Sequence, residues 1–347
     1  MPRREVEVAK IKKLFIMKLM KVLVTGMSGF IPTNFFQYLN KEHRDDVDCY
    51  GFDIVHGQDL RSVGAIEKAV KEMDLVVHFG ALTHVDSSIK DPQPFLETNI
   101  WGTFNVLQAA TKHKVKVIQV SSSEVYGALE KEFEFQSEDR HPLGHFPHPL
   151  NAHSPYAFTK IAQERMCYAW WRTYGTDVRI VRPFNQYGVG QDIRKVIPKF
   201  MHQVVEGKPF TIYGGGQQKR DWVFVKDTCA GIWAAKDLPP GEVVNLCTGQ
   251  SYSILELVEL LKKTIPQEVE FRSQLVGVNK AGERLGEVEN TKGDPSKAEK
   301  LMNWKAETSL EEGLKKTWEW FVGSGGNFYL GGDPKSTVFR ANEGFEM

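Results

Sequence analysis

The sequence predicts an α/β fold, a Rossmann-type doubly wound parallel sheet followed by a smaller α/β C-terminal domain. Short apolar runs alternate with helical segments through the first half of the chain, and a glycine-rich turn follows the first run. A row of serines ends the fourth run. The 347 residues exceed what one hydrophobic core usually holds, so a second domain is expected.

The elements of the first domain follow one another in a regular order. Strands are predicted over 21–25, 47–54, 75–79, 115–120 and 177–182, and helices over 30–39, 63–71, 94–112 and 155–174. Strand–helix alternation of this kind indicates a parallel sheet with helices on both faces. The last helix is apolar on more than one face. It is therefore either buried in its own subunit or packed against a partner, and a homodimer is expected.

The second half of the chain is less regular. Helices are predicted over 195–206, 253–264, 297–302 and 310–322, and strands over 210–213, 221–225 and 243–246. We predict a first domain over 18–190, to which 222–250 returns, and a second domain over 191–221 and 251–325. A basic extension over 1–17 and a tail over 326–347 complete the chain.

Composition excludes several classes of function. Lysine plus arginine equals aspartate plus glutamate, 44 each, so neither nucleic acid nor an anionic membrane is an expected partner. No apolar stretch is long enough to span a membrane. Four separated cysteines predict reduced thiols in a cytoplasmic protein: Cys49, Cys167, Cys229 and Cys247. Four histidines in one proline-containing loop predict a polar loop rather than a metal site: His141, His145, His148 and His153.

The glycine-rich turn, 26–32, joins the first strand to the first helix. Glycines here let the backbone approach a pyrophosphate, whose charge a helix N-terminus stabilises. Asp53 ends the second strand and can accept hydrogen bonds from ribose hydroxyls while repelling a 2′-phosphate. NAD is therefore predicted rather than NADP. The alternative is a structural turn with an unrelated aspartate.

Ser121–Gly127 and the pair Tyr156 and Lys160 form a candidate proton-handling site. The serines end a predicted parallel strand, where ligands of open α/β sheets bind. Tyr156 and Lys160 are four residues apart, so they share one face of a helix.

These motifs, in the order in which they occur along the chain, resemble those of the extended short-chain dehydrogenases/reductases that act on nucleotide sugars. The resemblance runs from about Lys21 to Val322 and includes the sequences RPFNQYG at 182–188 and QQKRDWVFVKD at 217–227. It implies NAD in the first domain and a nucleotide-diphosphate sugar in the second. One departure is Pro32, which replaces the third glycine of the cofactor loop and is tolerated in a first helical turn.

The resemblance also implies roles for single residues. Tyr156 is the implied base that removes a sugar hydroxyl proton, with a pKa lowered from about 10 by the Lys160 ammonium and the nicotinamide. Ser122 is implied to bind the same oxygen. The implied NAD-binding residues are Gly26, Ser28, Gly29, Phe30, Ile31, Asp53, Asp59, Leu60, Phe79, Gly80, Ala81, Asn99, Tyr156 and Lys160. The implied substrate-binding residues are Thr83, His84, Asn185, Val196, Tyr213, Arg220 and Arg284. For Arg220 the alternative is a surface salt bridge with Asp221.

Glu124 bears on the reaction. The 4-epimerases usually lack a carboxylate at this place, whereas 4,6-dehydratases use one to remove the C5 proton as water leaves C6. The UDP-glucuronate decarboxylases also carry it. The run 81–92 resembles the dehydratases, but Ser123 stands where many of them have an aspartate, and 217–220 resembles the decarboxylases.

We therefore favour an NDP-hexose 4,6-dehydratase with catalytic residues Ser122, Ser123, Glu124, Tyr156 and Lys160. An NDP-sugar 4-epimerase and a UDP-glucuronate decarboxylase are alternatives. A non-catalytic NAD-binding scaffold is a more distant one, because such a protein would lose the serine, tyrosine or lysine.

Overall fold

A six-stranded parallel sheet lies at the centre of the structure, a computed structural model that describes residues 19–131, 133–138, 148–265, 279–281 and 288–324. Its strands are β1 (Met20–Thr25), β2 (Val47–Phe52), β3 (Leu75–His78), β4 (Lys116–Val120), β5 (Val178–Pro183) and β10 (Val243–Leu246). Their spatial order is β2-β1-β3-β4-β5-β10. Every residue of β3 and β5 is buried, as expected for strands covered by helices on both faces.

The helices of this domain pack on the two faces of the sheet. They are α1 (Phe30–Glu42), α2 (Val63–Val70), α3 (Val85–Lys90), α4 (Gly102–His113), α5 (Pro155–Tyr174) and α7 (Val225–Ala234). Phe35 of α1 and Ile232 of α7 belong to one buried cluster, and Ile66 of α2, Leu107 of α4 and Cys167 of α5 belong to another. The sheet is therefore doubly wound, and the predicted fold class is confirmed.

The strand order reverses between β1 and β3. The chain proceeds from β1 to β2 on one side, then returns to place β3, β4 and β5 on the other. Thr25 and His78, the last residues of β1 and β3, are paired in register. A reversal of this kind opens a crevice at the carboxyl ends of the strands, where ligands of doubly wound sheets bind.

Two predicted elements end or change form earlier than expected. The second strand stops at Phe52, and Asp53 then caps a short 3₁₀ turn over Ile54–His56. The predicted helix over 94–112 contains a π-helical turn, Leu96–Trp101, directly before α4.

A second cluster of buried side chains lies in the C-terminal part of the chain. It includes residues of α6 (Val196–Val205), β7 (Thr211–Tyr213), α8 (Ile254–Thr264) and α10 (Leu310–Gly323). The short strands pair as β6 (Asn185–Tyr187) with β9 (Trp222–Phe224), β8 (Lys219–Arg220) with β11 (Tyr252–Ser253), and β7 with β12 (Asn279–Ala281). The remaining helix is α9 (Ser296–Met302).

The segment 222–250 contributes to the main sheet, because β10 pairs with β5 and α7 packs against α1. This supports its predicted return to the first domain, while the domain boundaries themselves stay a prediction. The predicted extension over 1–17 and tail over 326–347 lie outside the described residues. Within the described ranges, no helix has both the length and the apolar character that crossing a membrane requires.

Candidate active site

A cleft of about 950 Å³ lies at the carboxyl end of the sheet and extends to α6, β7 and β8. It brings together most of the residues that the sequence predicts. Those lining it are Gly26, Gly29, Phe30, Ile31, Phe79, Ala81, Thr83, His84, Ser122, Ser123, Glu124, Tyr156, Lys160, Asn185, Val196, Tyr213 and Arg220. The roles of these residues stay predictions, but their convergence on one surface makes a single ligand site.

The glycine-rich turn requires glycine where two backbones meet. Gly26 has a φ of 69°, which favours glycine, and a Cβ there would lie 2.8 Å from the Cα of Gly80. Gly29 caps α1, and the first turn includes Pro32 without losing a helical hydrogen bond, because the N–H of Thr33 is the first to bond back, to the Gly29 carbonyl at 3.0 Å. The turn therefore places a bare helix N-terminus at the cleft, which suits a pyrophosphate.

Asp53 connects the glycine turn to the end of β2. Its Oδ2 accepts a hydrogen bond from the Ser28 N–H at 2.9 Å, and its Oδ1 accepts one from the Val55 N–H at 2.9 Å. The side chain is buried. A carboxylate has about four acceptor positions, so two remain after these bonds. Asp53 does not itself line the cleft, and its contact with a ribose stays a prediction.

Asp59 and Leu60 lie beside the cleft rather than on its lining. The Arg61 guanidinium donates to both oxygens of Asp59, and these hydrogen bonds hold the pKa of that carboxyl below its usual value. Leu60 is buried against Gly80 and Gly102.

Asn99 is also placed behind the cleft wall. Its Oδ1 accepts from the Leu82 N–H at 2.8 Å, and its Nδ2 donates to the Leu82 carbonyl at 3.0 Å and to Thr159 Oγ1 at 2.9 Å. The side chain is fully buried. It therefore joins the loop after β3 to α5, and contact with a cofactor stays a prediction.

Sequence reasoning assigned no role to the buried polar row beneath the cleft. The Thr103 hydroxyl donates its proton to the Asn99 carbonyl oxygen, at 2.7 Å. His78 must therefore donate from Nε2 to Thr103 Oγ1, 3.0 Å away, and accept at Nδ1 from the Thr25 hydroxyl, 2.7 Å away. Burial, with the nearby Lys160 charge, lowers the pKa of His78 to about 3, so the ring is neutral. The signal available in the sequence was a histidine and two threonines at the ends of buried strands and inside a buried helix.

Helix α5 carries Tyr156 and Lys160. Ser154 caps its N-terminus by accepting the Ala157 N–H at 3.1 Å, and Gly175 ends it with a φ of 67°. Tyr156 therefore stands in the first turn, where its N–H donates to Ser88 Oγ at 3.1 Å. Lys160 lies one turn on, is 2% exposed, and donates from Nζ to the Val120 carbonyl at 2.9 Å.

The protonation of this pair departs from the expectation. Burial raises the pKa of Tyr156, a hydrogen bond with Ser122 lowers it in part, and the Glu124 charge raises it further. The predicted lowering by Lys160 is thus wrong for the protein alone, because burial dominates. Burial also lowers the pKa of Lys160 to about 8, against the opposing charge of Glu164.

The segment after β4 turns sharply. Ser122 Oγ accepts the Glu124 N–H at 3.2 Å, and Ser123–Tyr126 form a 3₁₀ turn. Gly127 closes it with a φ of 66°, where a Cβ would lie 2.3 Å from the Asn151 carbonyl oxygen. This turn directs three consecutive residues, 122 to 124, to the cleft.

Four predicted substrate residues lie on the opposite wall, namely Asn185, Val196, Tyr213 and Arg220, whereas Thr83 and His84 line the cleft from the loop after β3. Asn185 donates from Nδ2 to Thr291 Oγ1 at 3.1 Å, and its N–H bonds to the Asp221 carbonyl at 3.0 Å. The alternative prediction for Arg220, a surface salt bridge with Asp221, is wrong, because Asp221 is fully buried. Its carboxylate accepts four hydrogen bonds instead, from the Thr248 N–H and hydroxyl and from the N–H groups of Gly249 and Gly293. Arg284 lies outside the described residues.

Of the four loop histidines, His141 and His145 lie outside the described residues. His148 is buried, accepts the Glu130 N–H at Nε2 and contacts the Pro149 carbonyl through Nδ1. The part of the chain that the structure describes has no group of three or more potential metal ligands.

Comparison with known proteins decides the family. The sequence profile described as "GDP-mannose 4,6 dehydratase" matches residues 50–317. The chain belongs to this family of NAD-dependent nucleotide-sugar dehydratases and epimerases. It is 31% identical to the dTDP-glucose 4,6-dehydratase of Mycolicibacterium smegmatis over 326 residues, covering 87% of this chain and 93% of the relative.

Solved structures agree. The dTDP-glucose 4,6-dehydratase DesIV of Streptomyces venezuelae, solved with NAD bound, is 30% identical with a TM-score of 0.78, over 89% of this chain and 99% of that one. A UDP-glucose 4-epimerase of Thermotoga maritima, solved with UDP-glucose, is 27% identical with a TM-score of 0.76, over 88% and 99%. The predicted family, enzyme class, NAD cofactor and nucleotide-sugar substrate are therefore confirmed for this enzyme.

Proposed function

We propose that this enzyme is an NDP-hexose 4,6-dehydratase, which forms a 4-keto-6-deoxy sugar through transient oxidation at C4. The observation that carries the proposal is the position of Glu124, a carboxylate on the same cleft surface as Ser122 and Tyr156. Rotation of a 4-keto sugar in an epimerase needs no such base, whereas loss of water does. The dehydratase relatives support the same reaction.

The first step removes a hydride from C4 and a proton from the C4 hydroxyl. NAD, when bound, would supply the hydride acceptor and a positive nicotinamide ring that favours the Tyr156 phenolate. Tyr156 removes the hydroxyl proton, and Ser122, which bonds the tyrosine hydroxyl, holds the same substrate oxygen. The Ser122 bond lowers the pKa of Tyr156 and so opposes the effect of burial. Lys160 holds the ribose next to the reacting ring.

Glu124 performs the second step. The 4-keto group makes the C5 proton acidic, and the carboxylate removes it while the C6 hydroxyl leaves. Ser123 is a weak acid, so the proton that Glu124 takes from C5 is the one delivered to the leaving hydroxyl. The step therefore loses one water molecule and leaves a double bond between C5 and C6. The hydride taken from C4 would saturate it at C6, and a proton equivalent to the one that Tyr156 removed would saturate it at C5.

The binding residues divide between the two walls. Gly26, Gly29 and the α1 N-terminus would hold the NAD pyrophosphate, and Asp53 would bind the adenosine ribose and disfavour NADP. Asn185 and Arg220 bind the substrate diphosphate, for which the planar guanidinium is suited. The buried Asp221 supports both residues from behind.

Product masses test the reaction. The purified enzyme is incubated with dTDP-, UDP-, GDP- and CDP-hexoses and with UDP-glucuronate, beginning with dTDP-glucose, on which the M. smegmatis relative acts by its name. Loss of water supports the proposal. Loss of carbon dioxide would identify a decarboxylase, and unchanged mass with a new sugar an epimerase. No reaction with any of these sugars would reject the proposed dehydration.

Glu124→Gln separates the two steps. We expect the variant to reduce bound NAD on adding substrate but to lose at least about 100-fold in water release, because the base for C5 is absent. Glu130→Gln, a change of the same type in a residue that does not line the cleft, should keep wild-type rates. Normal turnover of the Glu124 variant would contradict the role of this carboxylate.

We further propose that the enzyme is a homodimer. The π-helical turn and α5 expose large apolar side chains on one side of the molecule: Trp101 is 52% exposed, Phe158 52% and Tyr168 49%. The two elements pack against each other. Monomers rarely expose several large apolar side chains on adjoining elements, so a second copy is the expected partner.

A cytoplasmic location is also proposed. Cys167, Cys229 and Cys247 are buried as free thiols, and Cys49 is free and half-buried. Unpaired thiols are typical of a reducing compartment. Fractionation of cells that express the tagged protein tests this, and recovery from an extracellular or periplasmic fraction would contradict it.

A further inference from the structure

A buried ion pair lies directly behind the catalytic turn Ser122–Gly127. Glu164 is one helical turn after Lys160 on α5 and is 0% exposed, and Arg182 belongs to β5 and is 5% exposed by its side chain. Arg182 donates from Nε to Glu164 Oε1 at 2.9 Å and from Nη2 to Oε2 at 2.7 Å. Neither residue lines the cleft.

Each member of the pair holds one end of the catalytic turn. Glu164 Oε1 accepts the hydroxyl of Ser121, the residue before Ser122, at 2.6 Å. Arg182 donates from Nη1 to the hydroxyl of Tyr126, two residues after Glu124, at 2.7 Å. The Tyr126 hydroxyl in turn donates to Asn245 Oδ1 on β10, at 2.9 Å.

The hydrogen bonds that join the ion pair to Ser121 and Tyr126 therefore lie on either side of the reacting residues in the chain. Ser122, Ser123 and Glu124 lie between two fully desolvated anchors, both connected to the same bidentate pair. A buried pair is poor evidence for stability, because desolvation offsets much of the attraction between the charges. Its fixed geometry is well suited to positioning, since charge-assisted bidentate bonds define both distance and direction.

We propose that Glu164 and Arg182, acting through Ser121 and Tyr126, are positioning residues that set the places of Ser122 and Glu124 against the sugar. The proposal rests on the proposed 4,6-dehydration. Ser121 is adjacent to the serine of the oxidation step, and Tyr126 is closer to the base of the water-loss step. The two ends of the turn are therefore expected to govern different steps.

Two single-atom deletions test this without breaking the pair. Ser121→Ala should slow substrate-dependent reduction of NAD about tenfold in a single turnover, and Tyr126→Phe should slow water release about tenfold after normal reduction. The KM for the nucleotide sugar should change less than about twofold in both variants, because the diphosphate wall is untouched.

Tyr187→Phe is the matched control. Tyr187 is also fully buried, and its hydroxyl donates to the Leu310 carbonyl at 3.2 Å, outside the catalytic turn. Its loss should lower the melting temperature as Tyr126→Phe does while leaving both steps unchanged. Rates within about twofold of wild type in both variants, or losses matched by the control, would overturn the proposal.

The wild-type enzyme distinguishes failure of the inference from failure of the function. A wild type that releases water, with both variants equally active, rejects only the positioning role. A wild type that releases no water from any nucleotide hexose rejects the proposed function on which the inference rests.

Discussion

Burial controls the charge of the titratable side chains around the cleft. It raises the pKa of Tyr156 and lowers the pKa of Lys160 and His78, because each charged form loses hydration. For His78 the surrounding hydroxyls complete a neutral hydrogen-bonded row, so nothing compensates a positive charge there. The neutral ring is thus part of the folded structure.

We expect His78 to make the enzyme sensitive to acid. Its pKa is about 3 in the folded protein against about 6.5 when unfolded, so the unfolded state binds the extra proton between these values. The contribution of His78 to the free energy of unfolding is fully present above pH 6.5. Below that pH it falls by about 1.4 kcal/mol per pH unit. In His78→Gln this dependence is absent, so the difference in unfolding free energy from wild type should shrink as pH falls from 6 towards 4.

Urea unfolding at each pH measures this difference. His56→Gln, at an exposed histidine, is the control and should keep a constant difference from wild type. A His78 variant with the wild-type pH dependence would show that the ring is not the group that titrates.

The sequence predicted single residues best where chemistry and spacing coincide. Tyr156, Lys160, Ser122 and Glu124 meet on one cleft surface, as their motifs indicated. Asn99 was predicted to bind the cofactor, and that contact stays a prediction. Its bonds to Leu82 behind the cleft wall were not predicted, because the depth of a side chain depends on tertiary packing that motifs do not describe. The raised pKa of Tyr156 in the protein alone was not predicted either, since desolvation depends on the whole surrounding fold.

Helices and short strands act as supports for the two walls of the cleft. Helix α5 carries the tyrosine and lysine in its first two turns, and its capping by Ser154 defines where those turns begin. On the opposite wall β8 and β9 are only two and three residues long. They are held at their junction by Asp221, whose pKa burial raises to about 6 although hydrogen bonds from Thr248, Gly249 and Gly293 lower it in part.

Asp221→Asn should weaken substrate binding. The amide places a donor among four N–H and O–H donors, which disturbs the segment that carries Arg220 and contacts Asn185. We expect the KM for the nucleotide sugar to rise about tenfold with kcat within about twofold. Steady-state kinetics measures both.

Asp227→Asn is the control for Asp221→Asn. Asp227 is another buried carboxylate, which accepts hydrogen bonds from the Thr308 N–H at 2.8 Å and from the Thr308 hydroxyl at 3.1 Å. It does not line the cleft. The substitution should lower stability and leave the KM unchanged. An equal KM effect in both variants would indicate general destabilisation rather than support of the diphosphate wall.

Element boundaries were predictable where capping residues or glycines mark them. The bounds of α5 agree with the predicted 155–174, as expected from Ser154, Pro155 and Gly175. The π-helical turn Leu96–Trp101 was not predicted, because its apolar residues also fit ordinary helical periodicity. Within this turn Asn99 bonds to Leu82, a tertiary contact that the sequence does not reveal.

At the scale of the whole molecule, the fold class followed from alternation alone, and the strand order then placed the cleft. The exposed aromatic side chains of the π-helical turn and α5 mark the surface proposed to bury a second copy. That surface lies on the outside of the same helix that carries Tyr156 and Lys160.

Trp101→Glu combined with Phe158→Glu should convert the dimer to a monomer, because two buried charges per subunit would face apolar surface. Sedimentation equilibrium should then give the chain mass, 39.4 kDa, instead of twice that value. Val322→Glu, at a residue of α10 that is 54% exposed, should remain dimeric. A wild type that sediments as a monomer at all concentrations would contradict the proposed dimer.

The placement of β10 has a consequence for engineering. The chain leaves the main sheet after β5, builds about half of the second buried cluster, returns to add β10 at the sheet edge, and leaves again for α8, which begins the other half. Neither the main sheet nor the second buried cluster is therefore built from one continuous stretch of sequence. A chimera that takes the diphosphate wall from a relative must exchange at least two separate segments, and expression of either half from a single cut would leave the sheet without its edge strand.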